Sequence, residues 1–302
     1  MKKALVRKLF SLSLVGLCTA AILGQDSDQE PISYSASGDA ALVSKYIWRG
    51  QRLTNDFSLQ PSMTLGMGNF SVNIWGNLDL AAVNEGDLMP KLFLPENPTA
   101  GLLAPGERSG LKGKFSEIDY TFSYASALND DVSFDVGTIF YAFPERSGSL
   151  PTTTELYGSV SFDTMPLAPS ATIYLDVDET SAGDGSSGLY FLLAGGHSIP
   201  FDHEVFTGLD LSVSLGIVNS GFSNYYYGVS SSGLHDLNVT AGLPIAMGDN
   251  WSASLFISFS SLLGDFADQQ YLDPRKVHEG TAGTSADSAN TIWGGFSLSL
   301  GL

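Results

Sequence analysis

The chain has 302 residues, 32 of them acidic and 14 basic, for a formal net charge of −18, and a single cysteine, Cys18. That acidity excludes nucleic acid or an anionic lipid surface as a partner recognised by charge, and one cysteine excludes a disulfide framework. Only 15% of the residues are charged, below the roughly 25–35% that a soluble domain's surface carries.

Lys2, Lys3, Arg7 and Lys8 precede an apolar run over 9–23, and Asp26 opens a polar segment. This is the charged and apolar pattern of a secretory signal peptide, expected over 1–24 with cleavage after Ala21 or Gly24. Leu17 stands where a lipobox ending at Cys18 needs a small residue. The run is also shorter than the ~20 residues of a spanning helix. Residues 25–38 are polar and turn-prone and predict an N-terminal tether; 39–302 form the body.

That body alternates with period two. In 57–67, Phe57, Leu59, Pro61, Met63, Leu65 and Met67 share one face and Ser58, Gln60, Ser62, Thr64 and Gly66 the other. In 70–80, Phe70, Val72, Ile74, Gly76, Leu78 and Leu80 alternate with Ser71, Asn73, Trp75, Asn77 and Asp79. Such runs predict strands with one apolar and one polar face. The same pattern places a first strand at 40–49 and further strands at 114–127, 131–143, 152–163, 171–177, 188–199, 205–218, 235–246, 250–262 and 291–302. Leu189 to Leu193 is apolar on both faces.

Twelve strands result, joined alternately by short turns and longer connections, notably 82–112, 219–234 and 263–290. The polar faces are Ser, Thr, Asn and Gly instead of Lys and Glu, which suits a lumen better than bulk water. The fold class predicted is all-β: an antiparallel, up-and-down transmembrane barrel with short periplasmic turns and long extracellular loops. Strands of about eleven residues, tilted, cover the roughly 25 Å apolar band of such barrels. Tyr46, Trp48, Phe57, Phe70 and Trp251 are candidates for aromatic girdles. The small residues of the lumen face argue against a plugged interior, and 82–112 is long enough to fold over or into the pore.

Residues 44–50, Ser-Lys-Tyr-Ile-Trp-Arg-Gly, with Thr54, Gln60, Trp75, Asn77 and Asp79 downstream, are similar to the TorF-type porins of Gram-negative bacteria. The motif residues are Ser44, Tyr46, Trp48, Arg49 and Gly50. The resemblance covers about 40 residues and implies an outer-membrane barrel with porin activity. One departure is the last residue, Leu302, where outer-membrane proteins usually end in an aromatic; Phe296 stands further in.

The lumen face is expected to carry Asp79, Glu117, Asp119, Asp135, Glu155, Asp176, Asp178, Asp210 and Asp236, against Lys45 and Arg49. An excess of acids within a low-dielectric wall concentrates cations, so weak cation selectivity is expected. Arg49 can reach a lumen acid, because a buried charge needs a partner; equally, Arg49-Gly50 can begin a tight turn with Gly50 at positive φ. His197, His203, His235 and His278 are not spaced with a serine for nucleophilic catalysis or with each other for a metal. Asp176, Asp178, Asp184 and Gly185 miss the calcium-loop spacing. No enzyme activity, cofactor or metal is expected. The expected partners are outer-membrane lipid, small hydrophilic solutes or cations, and the barrel-assembly machinery.

Overall fold

The computed structural model describes residues 32–54, 56–80, 89–90, 112–144, 153–178, 187–227, 230–267, 271–272 and 289–302. The expected signal peptide, the first half of the expected tether and nearly all of 82–112 lie outside them, as do His278, Asp184 and Gly185.

Twelve strands close into one antiparallel barrel. They are β1 (Tyr34–Val43), β2 (Ser58–Met67), β3 (Phe70–Asp79), β4 (Phe115–Ala127), β5 (Val132–Ala142), β6 (Thr153–Phe162), β7 (Ser170–Asp176), β8 (Gly188–Pro200), β9 (Gly208–Val218), β10 (Gly233–Ala246), β11 (Trp251–Leu262) and β12 (Asn290–Gly301). Each strand pairs with its sequence neighbours, and β1 closes the ring against both β2 and β12. Closure removes the edges that an open sheet would expose. The short connections and both ends of the described chain fall at one rim; the longer connections fall at the other. Two of those longer connections meet where Met89–Pro90 pairs with Tyr271–Leu272.

The wall is inside-out. Each of the twelve strands sends at least one large apolar side chain to the exposed outer face, among them Phe70 at 59% exposure, Ile257 at 58% and Ile292 at 64%. A continuous exposed apolar belt does not persist in water. The inner face is polar and cross-linked: Ser71 to Ser123 at 2.7 Å, Ser159 to Thr172 at 2.8 Å and Thr240 to Ser258 at 2.7 Å.

β1 departs from expectation. It starts at Tyr34, so residues 34–38 of the expected tether belong to the wall, and it ends at Val43, well short of Arg49. The reason is contrast. The face shared by exposed Tyr34 and Leu42 is otherwise Ala36, Gly38 and Ala40, which alternates more weakly than the Tyr46, Trp48 and Arg49 that follow. Those three do not continue the strand. The chain leaves the wall after Val43 and folds inward, where Ile47–Trp48 pairs with Gln51–Arg52.

The apolar core therefore lies inside the barrel, at the end with the longer connections. Tyr190, Val218, Phe222, Leu262 and Phe266 are buried there, with Trp48, Tyr174, Leu192 and Tyr226 packed against them. This accounts for the two-sided apolarity of β8: Tyr190 faces in, while Leu193 is exposed outside. Phe222 and Tyr226 ride on α1 (Ser220–Tyr227), a helix within the expected connection 219–234. Eight residues make a marginal helix alone. Here Asn219 caps it, its Oδ1 accepting from the Phe222 amide at 3.0 Å and the Leu189 amide at 2.8 Å. Among the described residues no helix is long and apolar enough to cross a membrane.

Candidate functional site

The inward hairpin delivers Arg49 to the inner wall, at the end of the barrel with the longer connections. Its two turn residues both have positive φ, Arg49 at 46° and Gly50 at 78°, which is what a two-residue hairpin of the primed type requires. Glycine is needed at position 50 twice over. A Cβ there would stand 2.6 Å from Cβ of Asp236 and 3.0 Å from Cδ2 of Leu262. Arginine at positive φ is unusual and costs backbone energy, so its side chain must gain from the placement.

That gain is visible. Arg49 Nη1 and Nη2 donate to the two carboxylate oxygens of Glu155 at 2.7 and 2.6 Å, a bidentate pair with side chains 9% and 1% exposed. Rings surround the guanidinium: its carbon lies 4.3 Å from the centroid of Tyr190, 4.5 Å from Trp48, 4.7 Å from Tyr174 and 5.5 Å from Phe222. Tyr141 donates to the same Glu155 at 2.8 Å. Burial opposes the Arg49 charge, but the Glu155 carboxylate outweighs it and holds the guanidinium pKa well above its usual range. Thus both sequence alternatives for this dipeptide hold together: the tight turn is the means by which Arg49 reaches its acid.

Other carboxylates ring this level. Tyr46 donates to Glu117 at 2.8 Å, Tyr226 to Asp176 at 2.9 Å, and Tyr190 to Asp236 at 2.9 Å. Burial first, then nearby carboxylates led by Glu117 for Tyr46 and by Glu155 and Asp176 for Tyr226, push both phenols well above their usual range and keep them as donors. Asp236 also meets Nδ1 of His235 at 2.7 Å and accepts from Asn238 at 2.7 Å. Asp119 is the next inward position along β4 from Glu117, with Oδ1 buried. Asp79 accepts from Asn77 at 2.9 Å.

Two β-bulges crowd this ring. Gly216 pairs with Asp236 and Ile217 with Leu234, so His235 is the extra residue of β10. Asn77 pairs with Glu117 and Leu78 with Phe115, so Ser116 is the extra residue of β4. A bulge turns two successive side chains to one face, and both members of each pair are buried: His235 with Asp236, Ser116 with Glu117.

The other expected lumen residues are scattered. Asp135 sits lower on the inner wall, accepting from Tyr157 at 3.2 and 3.1 Å. Asp210 is at the short-turn end, paired with Gly242 and Ser198. Asp178 stands past the end of β7 on the exposed rim, bonded to Thr154 at 3.1 Å, and is not a lumen residue. Lys45 is at the seam, where its Nζ donates to the Ile292 carbonyl at 2.9 Å; the expected lumen cation is spent on the wall because the chain is still beside β12 there. Tyr46 and Trp48 are inside and cannot serve a girdle, whereas Phe57, Phe70 and Trp251 are exposed outside. The expectation of an unplugged lumen face fails at this level, because the connection between β1 and β2 enters the barrel; 82–112 lies almost wholly outside the described residues.

The residues carrying the TorF resemblance converge at the root of this hairpin. Ser44 accepts from the Gly294 amide at 3.1 Å, Thr54 from the Tyr46 amide at 3.1 Å, and Gln60 donates to Asn77 at 3.0 Å. Trp75 packs on Tyr46 with centroids 5.6 Å apart. Sequence reasoning missed Tyr141, Tyr190, Phe222 and Tyr226. A partial signal existed, since Tyr157 and Tyr174 alternate in phase with the polar residues of their strands. Among the described residues no cluster of three or more His, Cys, Asp or Glu side chains could hold a metal ion.

A family model described as a bacterial protein of unknown function, Gcw_chp, matches residues 28–248. It does not single out the TorF-type porins. No curated protein matches the chain in sequence. Similar solved structures include the NanC porin, at 11% identity over 88% of this chain and 100% of that one, TM-score 0.47. Another is the COG4313 outer membrane channel from Pseudomonas putida F1, at 8% identity over 93% and 100%, TM-score 0.41. A third is outer membrane phospholipase A from Escherichia coli, at 11% identity over 91% and 94%, TM-score 0.39.

Proposed function

This chain belongs to the Gcw_chp family of bacterial proteins, and we propose that it is an outer-membrane channel for small hydrophilic solutes, narrow and weakly cation-selective. The observation that carries the reading is the inside-out wall: a closed ring apolar outside and hydroxyl- and amide-lined inside. A bilayer admits a sheet only when every ladder bond is closed. Short turns would face the periplasm and the longer connections the exterior. Cation preference follows from the acids at the hairpin level, where Asp79, Glu117, Asp119, Glu155, Asp176 and Asp236 outnumber Arg49 and Arg52.

Reversal potentials in planar bilayers under a salt gradient test both parts. A cation-directed potential is expected. Absence of conductance above background overturns the channel, and an anion-directed potential overturns the selectivity. A second reading, a non-conducting barrel whose loops bind a partner, is favoured by the burial of Arg49 within the lumen. The same recording separates them.

A further inference from the structure

Arg49 occupies a site that the barrel wall builds without it. Tyr141, Glu155, Tyr174 and Tyr190 come from four consecutive strands, β5 to β8, and the sheet fixes their spacing. Glu155 offers both oxygens in the plane of the bound group. Tyr174 and Tyr190 set their rings against it at 4.7 and 4.3 Å. This combination selects a planar fork: an ammonium cannot bond both oxygens in parallel and stack at once.

The occupant, by contrast, belongs to a connection and not to the wall. It arrives on a hairpin with two ladder pairs, Ile47 to Arg52 and Trp48 to Gln51, which form a sheet of their own apart from the barrel's ladder. Its own turn is strained at Arg49. The surrounding carboxylates of Glu117, Asp176 and Asp236 favour any cation that comes near.

We propose that Glu155, Tyr141, Tyr174 and Tyr190 form a binding site for guanidinium-bearing solutes, and that Arg49 fills it as an internal surrogate which such a solute displaces. The inference deepens the channel reading and rests on it for the solute's route. It gives the lumen a substrate class, and it makes the hairpin a plug released by that class. A site blocked by its own chain for most of the time loses apparent affinity in proportion to the blocked fraction. Removing Arg49 should therefore strengthen binding.

The test is titration calorimetry on the purified full chain in detergent micelles, with agmatine as probe and 1,5-diaminopentane as the ammonium control. Arg49→Gln should bind agmatine at least about tenfold more tightly than wild type and prefer it to the diamine. Adding Glu155→Gln should abolish that binding. Heat-modifiable gel mobility certifies each barrel as folded. If Arg49→Gln does not fold, Arg49→Lys decides, because it keeps the charge and loses the fork. Agmatine binding no tighter than wild type in the folded variant, or equal binding of the diamine, overturns the proposal. Calorimetry needs no current. A barrel that binds agmatine yet never conducts overturns the channel alone, and one that conducts without binding overturns this inference alone.

Discussion

Arg49 and Gly50 show how much two adjacent residues can settle. Placing arginine at positive φ costs roughly 1–2 kcal/mol, and the bidentate Glu155 bond within a ring of aromatic side chains offsets it. Gly50 has no such slack. Gly50→Ala should unseat the hairpin, because the added methyl meets Asp236 and Leu262 and the backbone adds its own ~1 kcal/mol penalty. The expected outcome is rapid proteolysis within 47–52 of a barrel that keeps its heat-modifiable mobility; unchanged protection would show that the hairpin tolerates the methyl. The acid-pairing of Arg49 was legible because charge and turn chemistry are local. His235 was not, since it enters the lumen only through a one-residue bulge in β10, and a bulge leaves no trace in an alternating pattern. Phe222 and Tyr226 were hidden for another reason: they lie in a connection, where period-two reasoning has nothing to say.

Among the elements, the strands with strong contrast between faces were readable to within a residue or two, as in β3 and β11. β1 was misplaced because Ala36, Gly38 and Ala40 give its outer face little apolar weight. Face identity can be tested on one strand. Val213 is 44% exposed on the outer wall, and its neighbour Ser212 points inward beside Thr240 of β10. Val213→Arg should destabilise the barrel by about 2–4 kcal/mol, the cost of a lipid-facing cation near mid-membrane, while a lumen substitution is far milder. Urea titration of folding into lipid vesicles reads the difference. Ser212→Arg should leave the midpoint almost unchanged and move the reversal potential toward anions. Equal losses at both positions would mean that the faces are misassigned.

For the whole molecule, the plug is not part of the barrel's ladder; it is held to the wall by the Arg49–Glu155 pair, the Tyr46 bond to Glu117 and the packing of Trp48 in the core. Removing that pair should change passage without removing the wall. Arg49→Gln is expected to raise single-channel conductance in planar bilayers and to deepen cation preference, because one positive charge leaves an acidic ring. A variant that conducts like wild type would place the narrowest point elsewhere. The uneven height of the wall has a further outcome. β7 has seven residues and β10 has fourteen. At about 3.3 Å per residue and a tilt near 40°, seven residues rise only about 18 Å, against an apolar band of roughly 25 Å. On the outer-membrane reading proposed above, lipid tails beside β7 would have to shorten or splay to meet it, a thin spot set by the protein itself, and vesicles of short-chain lipid should accept it faster than those of long-chain lipid.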